Sequence, residues 1–400
     1  MTTSHLQRRT GPSIGLIGML ALAACLTTTV RGDSSGAMYT WNGSVDSNWQ
    51  NSSNWDEGGY PDNRDNVVFN DPAAAPNQPD LQGYGKGNSE VIFNQAGWTI
   101  SDSVGTGYLQ IRGAELTSKG AGVNEIASEF RIGGNRQIRV ASENTCLVSG
   151  LLNFSDNDIL HFYDETGGTG PAGRTVFENI LDVVPPSGGG QPMDYVMHSG
   201  TVIFGDRVGY YHLDATNATV HACDEIVAGT TTAFHDGSTL AIGGDGEYGG
   251  DEIMTIGFSA LRGGDHGVNL YDGSTLAIDF TSSAADKLEI DSEGSRTAHL
   301  LLGSTSTLEL SGICDAGTTH TLVDFIGTGT GGFYFGDNGT FGSVLLNGEP
   351  VDPASDPRLD LTYYTGDRLD VTFNQTIPEP SVLCLLALGA LPLLARRQRG

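Results

Sequence analysis

From residue 89 to residue 373 the chain sets short apolar runs between turns. Val91-Ile92-Phe93, Phe130-Arg131-Ile132, Ile138-Arg139-Val140 and Val176-Phe177 come first. Val202-Ile203-Phe204, Leu240-Ala241-Ile242, Leu276-Ala277-Ile278-Asp279-Phe280 and Leu288-Glu289-Ile290 follow, and Leu308-Glu309-Leu310 and Leu369-Asp370-Val371-Thr372-Phe373 close the series. Most of these runs alternate large apolar residues with small or polar ones. Successive side chains of a strand point to opposite faces, so this is the pattern of a half-buried strand. No amphipathic helix of three turns is visible. The best helical stretch, residues 121–130, is broken by Gly122, Val123 and Asn124. Between residues 71 and 88 Pro, Gly and Asn dominate, which predicts a surface loop.

Two turn–strand units are near copies. His235-Asp236-Gly237-Ser238-Thr239-Leu240-Ala241-Ile242 recurs as Tyr271-Asp272-Gly273-Ser274-Thr275-Leu276-Ala277-Ile278, 36 residues on. Residues 303–310 (GSTSTLEL) and 200–205 (GTVIFG) are looser members of the set. A unit of this size cannot bury its own apolar side, so it must stack on its neighbours. The predicted fold is all-β, an elongated parallel β-helix or solenoid; the alternative is a β-sandwich. Upstream, Trp41, Trp49 and Trp55 stand among turn-forming Asn, Ser, Gly and Asp, ahead of Tyr60-Pro61-Asp62 and Val67-Val68-Phe69. Three indoles so close together form either an aromatic cap on the end of the stack or a platform for sugar rings; the cap is the expectation adopted.

The two ends read as targeting segments. Arg8-Arg9 precede an apolar run over residues 14–26, the form of an export signal over residues 1–32. Leu22-Ala23-Ala24-Cys25 also fits a lipobox, in which Cys25 would be lipidated; cleavage after Ala23 or near Gly32 is the competing reading. At the other end Pro378-Glu379-Pro380 is followed by an uncharged run, residues 381–395, and then by Arg396, Arg397 and Arg399. Fifteen helical residues reach about 22 Å, short of a bilayer core of about 30 Å. The arginines behind the run resist translocation and hold the end in the cytoplasm. The expected division is therefore an export signal (1–32), a Trp-rich cap and loop (33–88), a solenoid body (89–377) and a sorting tail (378–400).

Composition narrows the function. Setting aside the six terminal arginines and Glu379, the body carries 14 basic against 47 acidic residues, a net charge of −33. Such a surface repels nucleic-acid phosphates and anionic membranes, so no nucleic-acid partner is expected. Cys146, Cys223 and Cys314 are the cysteines of the body, without a C-x-x-C pair, and buried thiols are the reading that follows.

The order of tripeptide, short apolar run and arginines resembles the PEP-CTERM sorting signal of Gram-negative bacteria. That resemblance implies recognition by an exosortase-type membrane protease, passage through the inner membrane, and delivery to the cell envelope or the outside. The stretch from Trp41 to Phe69 is similar to the Trp-rich N-terminal segment of many PEP-CTERM and autotransporter-like surface proteins, which implies the start of a β-helix. Gly317 to Phe325, Gly331 to Phe335 and Leu369 to Phe373 resemble the closing coils of autotransporter passenger domains, here without an outer-membrane barrel.

Candidate chemistry is scattered. Asp206, Asp214, Asp224, Asp245, Asp251 and Asp265 are acids of the kind used by lyases and glycosidases on β-helices, and His161, His198, His212, His221, His235, His266 and His320 are the imidazoles. His221 with Asp224, or Asp206 with Arg207, are candidate pairs, but no hydrolase, zinc-protease or nucleotide-binding motif occurs. Asp245, Glu247 and Asp251 lie in a Gly-Asp-rich stretch that would suit a single Ca2+; no other cofactor is expected. The reading is a non-enzymatic structural or adhesive surface protein, with extracellular polysaccharide as a candidate partner. The alternative is a secreted carbohydrate-active enzyme on the same scaffold.

Overall fold

A computed structural model describes residues 36–378, apart from 155–158, 181–193, 206–207, 211, 223–224, 229–230, 244–252, 259–265, 293–297, 327–332, 338 and 365–367. The chain divides into units of residues 1–30 and 31–400, and all the described residues belong to the second. They form an all-β parallel solenoid, as the strand pattern and the repeat predicted. There is no α-helix among the described residues, and none long and apolar enough to cross a membrane.

Each turn of the chain visits three faces in the same order. The first face stacks Met38–Thr40 on Asn66–Phe69, then residues 90–93, 115–118 and 136–140. It continues through Ile159–Asp164, Asp194–Met197, Leu213–Ala215, Thr231–Phe234, His266–Leu270, Ala298–Leu302 and Phe333–Asp337. The second runs from Thr99–Ile100 through Gly122–Ile126 to Gly200–Phe204, Ala218–Ala222, Thr239–Ile242, Thr275–Phe280, Thr307–Gly312 and Ser343–Leu346. The third begins with residues 85–88 and 108–111; its later rungs are Val208–Tyr210, Glu225–Ala228, Ile253–Phe258, Lys287–Ser292 and Thr318–Ile326. All of these pairings are parallel, which rules out the sandwich.

Alternation along each strand sends one set of side chains into a shared core. On the second face Val202, Val220, Leu240, Leu276 and Leu308 form one buried column, and Phe204, Ala222, Ile242, Ile278 and Leu310 another. The repeat is the rung itself: Thr239, Leu240 and Ala241 pair with Thr275, Leu276 and Ala277. Its Asp-Gly-Ser turn is stacked too. Ser238 and Ser274 each bond back to the carbonyl three residues earlier, and Gly237 and Gly273 take left-handed φ of +73° and +78°.

Both ends are closed by the chain. At the start Trp41, Trp49 and Trp55 are buried against one another, with ring centroids 4.9–6.3 Å apart, and against Phe69. Their faces are consumed by packing, so they cap the stack and offer no platform to a sugar. The loop expected over residues 71–88 is shorter than composition suggested. Asp80 bridges Asn48 and Ser101, Leu81 is fully buried, and Gly85–Phe93 is one strand that crosses the expected boundary at residue 88. Polar turn residues hid these pairings. The weak helical stretch is likewise two strands, Gly122–Ile126 and Glu129–Ile132. At the far end the pairing turns antiparallel: Glu349–Val351 folds back on Ser343–Leu346, and Arg368–Phe373 joins Thr318–Ile326 to Leu359–Tyr364. Ile377 bridges Cys314, and Pro378 follows it, exposed.

Candidate functional site

The corner between the first and second faces carries the densest chemistry. The residues that follow Phe162 and its register partners on the first face form a column: Tyr163, His198, Thr216, His235, Tyr271 and Gly303. Parallel register sets it, because Phe162 pairs with Met197, Ala215 with Phe234, and Leu270 with Leu302. Flat side chains in such a column stack. Tyr163 and His198 lie 4.3 Å apart at an interplanar angle of 5°, and His235 and Tyr271 lie 4.8 Å apart at 16°.

A second contact ties the imidazoles sideways. His161 Nδ1 lies 3.2 Å from His198 Nε2, and the ring centroids are 5.5 Å apart. That separation is about the N···N distance plus two ring radii, so the nitrogens face each other along one line. This is the geometry of an N–H···N hydrogen bond; two ligands of one metal would converge at an angle. Burial pushes the His161 imidazole below its ordinary range, aided by His198 beside it. Burial lowers His198 as well, against the pull of the Asp214 carboxylate. Asp214 Oδ1 is 3.4 Å from His235 Nε2, so the strip runs His161, His198, Asp214, His235.

Of the predicted site residues, this corner gathers His161, His198, His235 and Asp214. His212 immediately precedes Leu213–Ala215, outside this corner, and its backbone N–H donates to Asp194 Oδ1 at 3.1 Å. His221 Nδ1 lies 3.3 Å from the Gly243 carbonyl. His320 is buried near the far cap, its Nε2 3.5 Å from Cys314 Sγ, and burial lowers its pKa. Cys146 and Cys314 are free and buried, and burial pushes the Cys146 thiol up to about 12. Asp206, Arg207, Asp224, Asp245, Glu247, Asp251, Asp265 and Cys25 lie outside the described residues, as do Glu379, Pro380, Arg396, Arg397, Arg399 and the side chain of His266. Among the described residues no three His, Cys, Asp or Glu side chains group as metal ligands.

Tyr163 and Tyr271 were not singled out by the sequence reading. The signal for Tyr271 lay in the repeat, where it occupies the place of His235. Comparison with protein-family models and with curated proteins found no match.

Proposed function

We propose that this chain is an exported structural or adhesive protein of the cell surface or extracellular matrix, sorted through its C-terminal tail. The observation that carries the proposal is the junction at residue 377. Among the described residues the last backbone pairing is the Ile377–Cys314 bridge, and the Pro-Glu-Pro tripeptide begins at the next residue, exposed at Pro378. A protease reaching that tripeptide would sever the tail without touching a strand. The apolar run and the arginines beyond it support recognition in the inner membrane by an exosortase-type protease. Two caps on one solenoid support a passive scaffold, since they protect strand edges that would otherwise pair with other chains.

Mass spectrometry of both ends of the protein recovered from its host tests this. The expected mature form lacks the export signal and ends near Pro378–Pro380. An intact chain in the cytosol, with residues 381–400 still attached, would overturn the proposal.

A further inference from the structure

The ring column ends at Tyr271, and its end is unlike its middle. One face of Tyr271 rests on His235, 4.8 Å away. The next position of the column is Gly303, whose N–H donates to the Leu270 carbonyl at 2.7 Å. No side chain can stand there: a Cβ on Gly303 would lie 2.5 Å from Asp272 N and 2.6 Å from Tyr271 C. The column therefore supplies no side chain to the outer face of the ring, and Tyr271 is 37% exposed.

Polar groups flank Tyr271 on both sides along the chain. His299 Nε2 lies 2.9 Å from Asn269 Oδ1, and Asn269 Nδ2 donates to the Tyr271 hydroxyl at 3.3 Å. The hydroxyl oxygen accepts, so its own proton is free to donate outward. On the other side Asp272 Oδ1 accepts from Ser304 Oγ and from Thr305 N, each at 3.0 Å. These bonds hold the carboxylate in place on the turn that follows Tyr271.

A flat aromatic face with fixed donors and acceptors on the flanking residues matches a pyranose ring, which offers C–H groups on its face and hydroxyls on its edge. The adjacent carboxylate and the body's charge of −33 disfavour an anion. We propose that Tyr271, with Asp272 and Ser304, binds one neutral hexose unit of an extracellular polysaccharide. This inference rests on the reading of the chain as an exported surface protein. The rival ligand is a cation held by the ring and the carboxylate; a single ring is not the aromatic cage that such ligands favour.

The test is calorimetric titration of the full chain with soluble cellohexaose, maltohexaose, mannohexaose and chitohexaose, and with tetramethylammonium. At least one hexaose is expected to bind. Tyr271→Ala should weaken it about tenfold or more, and Tyr271→Phe by no more than about threefold, because stacking outweighs one hydroxyl. Tyr364→Ala, at an exposed tyrosine already covered by Arg368, should leave it unchanged. The proposal is overturned if no hexaose binds the wild type, if tetramethylammonium alone binds, or if Tyr271→Ala binds like the wild type. Because the mature termini are read separately, failure here leaves the sorting proposal standing, and failure there does not explain an absent sugar site.

Discussion

Replacing Trp55 by alanine should loosen one end of the solenoid and spare the rest. The Trp55 ring is 2% exposed and lies 5.0 Å from Trp41, 4.9 Å from Trp49 and 6.5 Å from Phe69, centroid to centroid. Its Nε1 donates to the Trp49 carbonyl at 2.8 Å. Truncating a buried Trp to Ala costs about 3–5 kcal/mol. The lost ring pairs and the carbonyl left without its donor place this site near the top of that range, at about 5 kcal/mol. In a stack whose rungs touch only their neighbours, that loss is concentrated in the first coils. The chain supplies its own reporter, because all four tryptophans, at positions 41, 49, 55 and 98, lie in those coils. Urea unfolding should be followed by tryptophan fluorescence, which reads the first coils, and by far-ultraviolet circular dichroism, which reads every strand. The expected result for Trp55→Ala is a fluorescence transition displaced well below the dichroism transition, with Trp55→Phe closing most of that gap. A fluorescence midpoint within about 1 kcal/mol of the wild type would refute the reasoning, since it would mean that the indole cluster does not hold the end of the stack.

Two further predictions use the same corner. Gly273→Ala places a Cβ 2.1 Å from Asp236 Oδ1 at a φ of +78°, so the melting temperature should fall by the equivalent of about 1–3 kcal/mol, while Gly317→Ala, at a similar φ with nothing within 4 Å, should cost less. The imidazoles predict acid sensitivity: with His161 and His198 both below their ordinary value of 6.5 in the fold, the unfolded chain takes up protons first as pH drops. Stability should therefore decline below about pH 6.5 toward the folded values, and a His161→Gln, His198→Gln double variant should flatten that part of the urea-midpoint profile; an unchanged slope would exclude the pair as its source.

The strands could be read from the sequence because each buries one face. Leu276, Ile278 and Phe280 alternate with Ala277 and Asp279, and the structure buries the first three. The rung was legible in one place, at the paired Asp-Gly-Ser-Thr turns, where two neighbouring coils keep the same turn and strand residues in register. Coil length varies along the chain: Tyr195 pairs with Leu213, eighteen residues on, whereas Thr239 pairs with Thr275, thirty-six on. A period that changes along the chain leaves no fixed offset to find. For the same reason nothing local marks His198 as the neighbour of Tyr163 or His161, since their contact depends on how long the intervening connection happens to be. Val176 and Ile203 show a second limit. They occupy outward positions of the second face, between the core columns, yet both are fully buried in a small cluster with Leu147. Alternation specifies which way a side chain points, but not whether something lies over it.

The uneven coil lengths carry a consequence for how such a molecule can change. A turn of the chain has only to bring its next three strands back into line; whatever hangs between them is free to grow or shrink. Descendants of this gene can therefore lengthen a connection, and so decorate one corner with new side chains, without disturbing the rungs above and below. With both lids held constant, novelty is confined to the flanks.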